Sequence, residues 1–268
     1  MIRYPAVAGQ FYPGDQATLA KSVSELCSPA AREKQKALVV VSPHAGYVYS
    51  GSVAGETFSR VVIPEDVIIL GPNHHGYGAR VALMEKGSWE MPMGEVPINE
   101  ELAAEISQVS NVVQNDASAH RQEHSLEVQV PFLQFFQKDL TITPLVISHI
   151  PFEDCLEVGR AIAEAIRNYG KPVLIVASTD MTHYESREAA TAKDQSAIEK
   201  ILLLDDLGLY ETVIGNRISM CGIMPTTIAI SAAKELGAKK VDLVRYTDSG
   251  ETSGDTRQVV GYAGLIIV

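Results

Sequence analysis

Short continuous apolar runs alternate along this chain with longer segments in which apolar residues recur every three or four positions. The runs at 37–42 (ALVVVS), 66–70 (DVIIL), 141–147 (TITPLVI) and 172–178 (PVLIVAS) predict strands, and 240–246 and 258–268 predict two more near the C-terminus. Helical spacing covers 52–61, 99–109, 125–137, 152–169, 189–203 and 224–236. Strands interleaved with helices imply an α/β fold: a mostly parallel central sheet flanked by crossover helices. No repeat, low-complexity tract or Gly/Ser linker interrupts the order, so residues 1–268 read as a single domain.

Composition narrows the function classes. A formal net charge of -11 repels phosphate backbones, and the densest basic positions (Arg32, Lys34 and Lys36, then Lys239 and Lys240) read as solvated loop or helix ends, so nucleic acid is excluded as a main partner. Hydrophobic residues make up 46% and charged residues 21%, and no run of apolar residues is long enough to span a bilayer, so no membrane association is expected. The opening Met1-Ile2-Arg3-Tyr4-Pro5 lacks a signal-peptide core, which places the protein in the cytoplasm. Cys27, Cys155 and Cys221 are odd in number and widely spaced, and each is expected as a free thiol.

The positions of the histidines carry the chemistry. VVVSPHAGY puts His44 just past one strand, VIILGPNHHG puts His74 and His75 past the next, and VLIVASTDMTHY puts Asp180 and His183 past a third. In an open α/β sheet, ligands bind outside the carboxyl ends of the strands, so side chains on these loops share one rim. Pro43, Gly46, Gly71, Pro72 and Gly76 make the turns tight. Glu123 and His124 stand before a predicted helix that Ser125 would cap, with Glu127 in its first turn. Cys221 sits beside Gly222 where another helix opens, a setting that lowers a thiol pKa and favours a metal-binding thiolate.

Each residue has a plainer explanation. A lone histidine is more often a capping or surface group than a ligand, and only the convergence of three strand-end loops argues for a functional pocket, a metal site in preference to metal-free acid-base chemistry. Of His74 and His75, one should face the pocket and the other turn away. His120 and His149 read as structural, and buried packing accounts for Cys27 and Cys155.

SPHAGYVYSG, GPNHHG, EHSLEVQVPFLQ, STDMTH and CGIMP, in that order, together with AGQFYPGD near the start and GYAG near the end, are a pattern that resembles the Memo family. The resemblance implies a fold shared with class III extradiol dioxygenases and a metal held by His44, His74 and Cys221, with His183 as a further pocket histidine. It also implies AMMECR-type and radical S-adenosylmethionine proteins as partners. Those dioxygenases hold iron with two histidines and a carboxylate, whereas a thiolate here shifts preference toward zinc, copper or a different iron chemistry, so ring cleavage is not expected. Asp180 or Glu123 would supply a carboxylate if the cysteine were not a ligand.

The leading expectation is a metal-binding enzyme with iron, or else copper or zinc, performing redox or hydrolytic chemistry on a small molecule. His183, oriented by Asp180, His124 or the backbone, would be its general acid or base. The alternative is a non-catalytic adaptor using the same pocket for a peptide or protein partner; the Memo resemblance implies phosphotyrosine peptides among the ligands, which would require Arg3, Arg80 and Arg121 to meet in space. A third reading makes Cys221 a nucleophile paired with a histidine.

Overall fold

The computed structural model describes residues 1–28 and 33–268, so Arg32 of the basic group lies outside the described residues. In chain order the elements run β1 (Ile2–Arg3), α1 (Gln16–Leu26), β2 (Val39–Ser42), α2 (Tyr47–Ser59), β3 (Asp66–Pro72), β4 (Val81–Leu83), β5 (Ser88–Trp89), β6 (Val96–Pro97) and α3 (Glu100–Val109). They continue through β7 (Gln114–Asn115), α4 (Val130–Phe136), β8 (Thr141–Ile147), α5 (Phe152–Tyr169), β9 (Val173–Ser178), β10 (His183–Glu185), α6 (Arg187–Leu202), α7 (Asp206–Gly215), α8 (Ile223–Glu235), β11 (Val241–Asp248), α9 (Gly250–Ser253) and β12 (Val259–Ile267). No helix among them is long and apolar enough to cross a membrane.

The main sheet has the order β10-β12-β2-β9-β3-β8-β4-β7, with β11 on the other edge of β12. Its centre, β2-β9-β3-β8, is parallel, as the strand-helix alternation implies. Both flanks add antiparallel pairs, β4 on β8 and β10, β11 and β2 on β12, so the whole sheet is mixed. The β11-β12 pair needs only a short link, whereas each parallel pair needs a crossover. Side chains alternate along β2 between two cores. Val39 and Val41 pack with α5 and α8 residues such as Ile162 and Ile228, while Val40 packs with Leu19, Phe58 and Phe132 of α1, α2 and α4. With both faces covered, the central strands carry unbroken apolar runs.

Helix starts depart most from expectation. The segment expected to be helical from 125 makes a single 3-10 turn at Glu127–Gln129 and becomes α-helix only at Val130, with Pro131 in its first turn. Ser125 does not cap it; its hydroxyl donates to the Pro72 carbonyl at 2.9 Å. Helix α2 begins at Tyr47, earlier than its periodicity suggests, because Gly46 is its N-cap and the Tyr47 N–H donates to the Phe11 carbonyl at 2.8 Å.

Glu127 is fully buried. Its carboxylate pairs with Arg3 Nη1 at 2.5 Å and accepts the N–H groups of Ala6 and Val7 at 2.7 and 3.0 Å and the Tyr12 hydroxyl at 2.5 Å. One side chain therefore ties residues 3–12 to the body of the domain. Replacing one partner of a buried pair leaves the other charge uncompensated, at a cost of about 3–5 kcal/mol. Glu127→Gln is expected to lose that much in urea unfolding, and a loss below about 1 kcal/mol would show that this carboxylate does not anchor the strap.

Candidate metal centre

Ser42 of β2 pairs with Ser178 of β9, and Leu70 of β3 pairs with Ala177 of β9, so the loops that follow these strands leave the sheet side by side. His44 is 2% exposed. Its N–H donates to Asp180 Oδ1 at 2.7 Å, its Nδ1 lies 2.9 Å from Ser178 Oγ, and its Nε2 lies 3.2 Å from Cys221 Sγ. Cys221 arrives from the start of α8, where Gly222 N–H donates to Thr179 Oγ1 at 3.0 Å. A Cβ at Gly222 would come within 2.4 Å of the Ser178 carbonyl, so only glycine lets α8 approach β9 this closely.

The buried Glu123 holds the second histidine. His74 N–H and Nδ1 donate to its two carboxylate oxygens at 2.7 and 2.9 Å, and Ser125 N–H donates to it at 2.9 Å. A carboxylate only accepts, so in the neutral ring the His74 proton sits on Nδ1 and Nε2 keeps its lone pair. The His74 and His124 rings stack at 4.5 Å, and His44 meets them edge-on at 5.2 and 5.5 Å.

Among the described residues, two groups of three donors have ligand atoms within 4.8 Å of one another: His44, His74 and Cys221, and His74, Glu123 and His124. Three N–H groups already engage the Glu123 carboxylate, which suits it to positioning. The first group offers imidazole nitrogen and sulfur, a donor set that fits zinc, iron or copper.

A family profile described as Memo-like protein matches residues 3–266. The chain belongs to the Memo-like family. Curated relatives named MEMO1 family protein include one from Methanothermobacter thermautotrophicus, 42% identical over 99% of this chain and 100% of its own length. Another, from Aquifex aeolicus, is 41% identical over 100% of this chain and 99% of its own length. A solved structure of an uncharacterised protein from Escherichia coli K12 shares the fold at a TM-score of 0.55 with 15% identity, covering 84% of this chain and 98% of that one.

In this Memo-like site the remaining residues take distinct places. His183 is half-buried; its Nδ1 donates to the Ser219 carbonyl at 2.9 Å, and its N–H donates to Ser219 Oγ at 2.8 Å, so the backbone orients the ring. Asp180 is spent on the His44 loop. His124 packs on Phe11 at 4.9 Å, with its Nδ1 3.5 Å from Glu123. His75 turns away to the Gln122 carbonyl at 3.0 Å and stacks on Tyr77. His120 is buried elsewhere, bonded to the Ala82 carbonyl at 3.1 Å, and His149 is exposed. All three cysteines are free, with Cys27 and Cys155 buried.

Two expectations are corrected. Burial, and after it the charge of Asp180, pushes the Cys221 thiol up from its ordinary value, so in the metal-free protein the helix N-terminus does not lower it. Arg3 is 4% exposed and bound to Glu127 and to the carbonyls of His120 and Glu123 at 2.9 and 2.7 Å, while Arg80 and Arg121 are exposed, so Arg3 is not free to join an arginine cluster. The polar supports of the site, Ser178 and Gln129, went unnoticed in the sequence; their signal is a polar residue ending or interrupting an apolar run, as in VLIVAS and LEVQV.

Burial dominates the electrostatics. It drives His44 well below its ordinary 6.5, with His74, His124 and His183 adding to the effect, and it lowers His124 to about 4 and His120 to about 3. It raises Asp180 to about 6 against the hydrogen bond from His44. Burial alone would raise Glu123, but the bonds and charge of His74 outweigh it and bring the carboxyl down to about 2.

Histidines kept neutral in the fold take up protons when the chain unfolds below about pH 6.5, so their contribution is complete above that pH and declines as pH falls toward the folded values. His120 should supply about 1.4 kcal/mol per pH unit of that decline between roughly pH 4 and 6. Urea unfolding of metal-free His120→Gln is expected to show a slope shallower than wild type by this amount, and parallel slopes would mean that His120 accepts a proton inside the fold.

Proposed function

We propose that the chain is a metal-dependent enzyme in which His44, His74 and Cys221 hold a divalent ion, iron in the first place, copper or zinc otherwise. The observation that supports this most is the donor set: imidazole and thiol atoms from three distant segments within 4.8 Å of one another, with His74 fixed through its far nitrogen by a buried carboxylate. A divalent ion there supplies Lewis acidity, and iron or copper adds electron transfer.

The chain's own residues do the rest. Glu123 and Asp180 hold the His74 and His44 loops and leave the donor atoms uncovered. His183, anchored through Nδ1, offers Nε2 to accept a proton from a bound small molecule or return it, the role of a general acid or base. Half-buried and stacked, His124 is neutral near pH 7 and contributes shape more than charge. The reaction class is redox or hydrolytic. AMMECR-type and radical S-adenosylmethionine proteins, implied by the Memo resemblance, are the proposed partners.

The test is metal analysis by mass spectrometry after anaerobic purification without an affinity metal column. Near-stoichiometric iron, copper or zinc is expected in wild type, with His44→Ala and Cys221→Ser at least about tenfold lower. A wild type that holds no metal even after reconstitution would overturn the proposal in favour of a non-catalytic binding module.

A further inference from the structure

Behind His44 lies a buried junction of polar groups that the donor set does not include. Ser178 Oγ is 2.8 Å from Gln129 Nε2, 2.6 Å from the Ser125 carbonyl and 2.9 Å from His44 Nδ1. Gln129 Nε2 also lies 2.9 Å from the Pro43 carbonyl. Gln129, Ser125 and Ser178 are all fully buried.

The directions of these bonds follow from what each group can do. A carbonyl accepts only, so the Gln129 amide must turn its NH₂ toward Pro43, and the second proton of that NH₂ then goes to Ser178. The Ser125 carbonyl likewise requires the one hydroxyl proton of Ser178. Ser178 has given its proton and accepted one, so it meets His44 with its remaining lone pair, and His44 Nδ1 must be the donor. The neutral ring then carries no proton on Nε2, the atom 3.2 Å from Cys221 Sγ.

We infer that Gln129 and Ser178 are positioning residues that lock His44 in the Nδ1–H tautomer, so that its Nε2 lone pair always faces Cys221 and His74. The bearing of this lock on metal affinity rests on the function proposed above; the tautomer itself does not. Both carbonyls that set the pattern belong to backbone next to site residues, Pro43 before His44 and Ser125 after His124, so the lock joins two segments far apart in sequence. It gives the EHSLEVQ segment a chemical task through Gln129, a residue that never touches the donor cluster. Orienting partners of this kind typically change metal affinity about 10–100-fold when removed.

Two readouts test it. Long-range ¹H–¹⁵N correlation spectra of the metal-free, ¹⁵N-histidine-labelled protein, assigned with His44→Ala, report which ring nitrogen carries the proton. Zinc titration reports affinity. Wild type is expected to show His44 protonated at Nδ1 alone. Ser178→Ala, checked for folding by circular dichroism, should show mixed tautomers and bind zinc about 10–100-fold more weakly, whereas Gln129→Met, in which the Ser125 carbonyl still claims the Ser178 proton, should keep the Nδ1–H form but lose zinc affinity in the same range because Ser178 loses its anchor. A wild-type His44 protonated at Nε2 would overturn the inference, as would a folded variant with an unchanged tautomer and zinc affinity. If Ser178→Ala does not fold, Gln129→Met and the wild-type spectrum still decide. If wild type binds no zinc, iron or copper, the proposed function fails while the tautomer spectrum still decides the lock.

Discussion

The parallel pairing of β2, β9 and β3 is the constraint on which the site depends. Strands that run in the same direction deliver their carboxyl ends to one edge, and the in-register pairs Ser42–Ser178 and Leu70–Ala177 bring the loops bearing His44, His74 and Asp180 out together. A shift of one residue in this register would move every side chain of a strand into the opposite core, and the two cores, packed by different helices, oppose it. The glycine at position 222 does the same for the fourth contributor, allowing α8 to approach β9 until Cys221 reaches His44.

On this frame the buried polar side chains work mainly by holding other groups. Glu123 binds the backbone and ring of His74, Asp180 binds the His44 backbone, and Glu127 binds the N-terminal strap, whose Arg3 in turn grips the carbonyls of His120 and Glu123. Glu123 and Glu127 are each satisfied by several donors, the condition under which a charge remains buried. The strap thus belongs to the support of the site: Phe11 lies against His124 and accepts the first N–H of α2 on its carbonyl, while Arg3 fixes the segment from which Glu123 reaches His74.

Much of this was legible in the chain. The runs at 66–70, 141–147 and 172–178 are strands because burial on both faces gives short, nearly continuous apolar runs, and the same runs point to the rim where His44, His74 and His183 stand. Strands of two or three residues, such as β1, β5 and β6, leave no periodicity to read, and α1 and α7 went unassigned. The roles of acids were hardest to foresee. Glu123 and Glu127 look alike in EHSLEVQ, yet one binds a histidine and the other the N-terminus, and only tertiary contacts distinguish them. The expected low thiol pKa of Cys221 failed for a related reason: helix geometry is visible in CGIMP, whereas burial beside Asp180 is not.

The proposed centre requires sulfur and imidazole donors from separate loops to meet at one ion. X-ray absorption spectroscopy at the metal edge of the loaded protein tests this most directly. One sulfur and two imidazole nitrogens are expected around the ion, with the sulfur absent in Cys221→Ser; a wild-type spectrum with only oxygen and nitrogen neighbours would overturn the proposed centre.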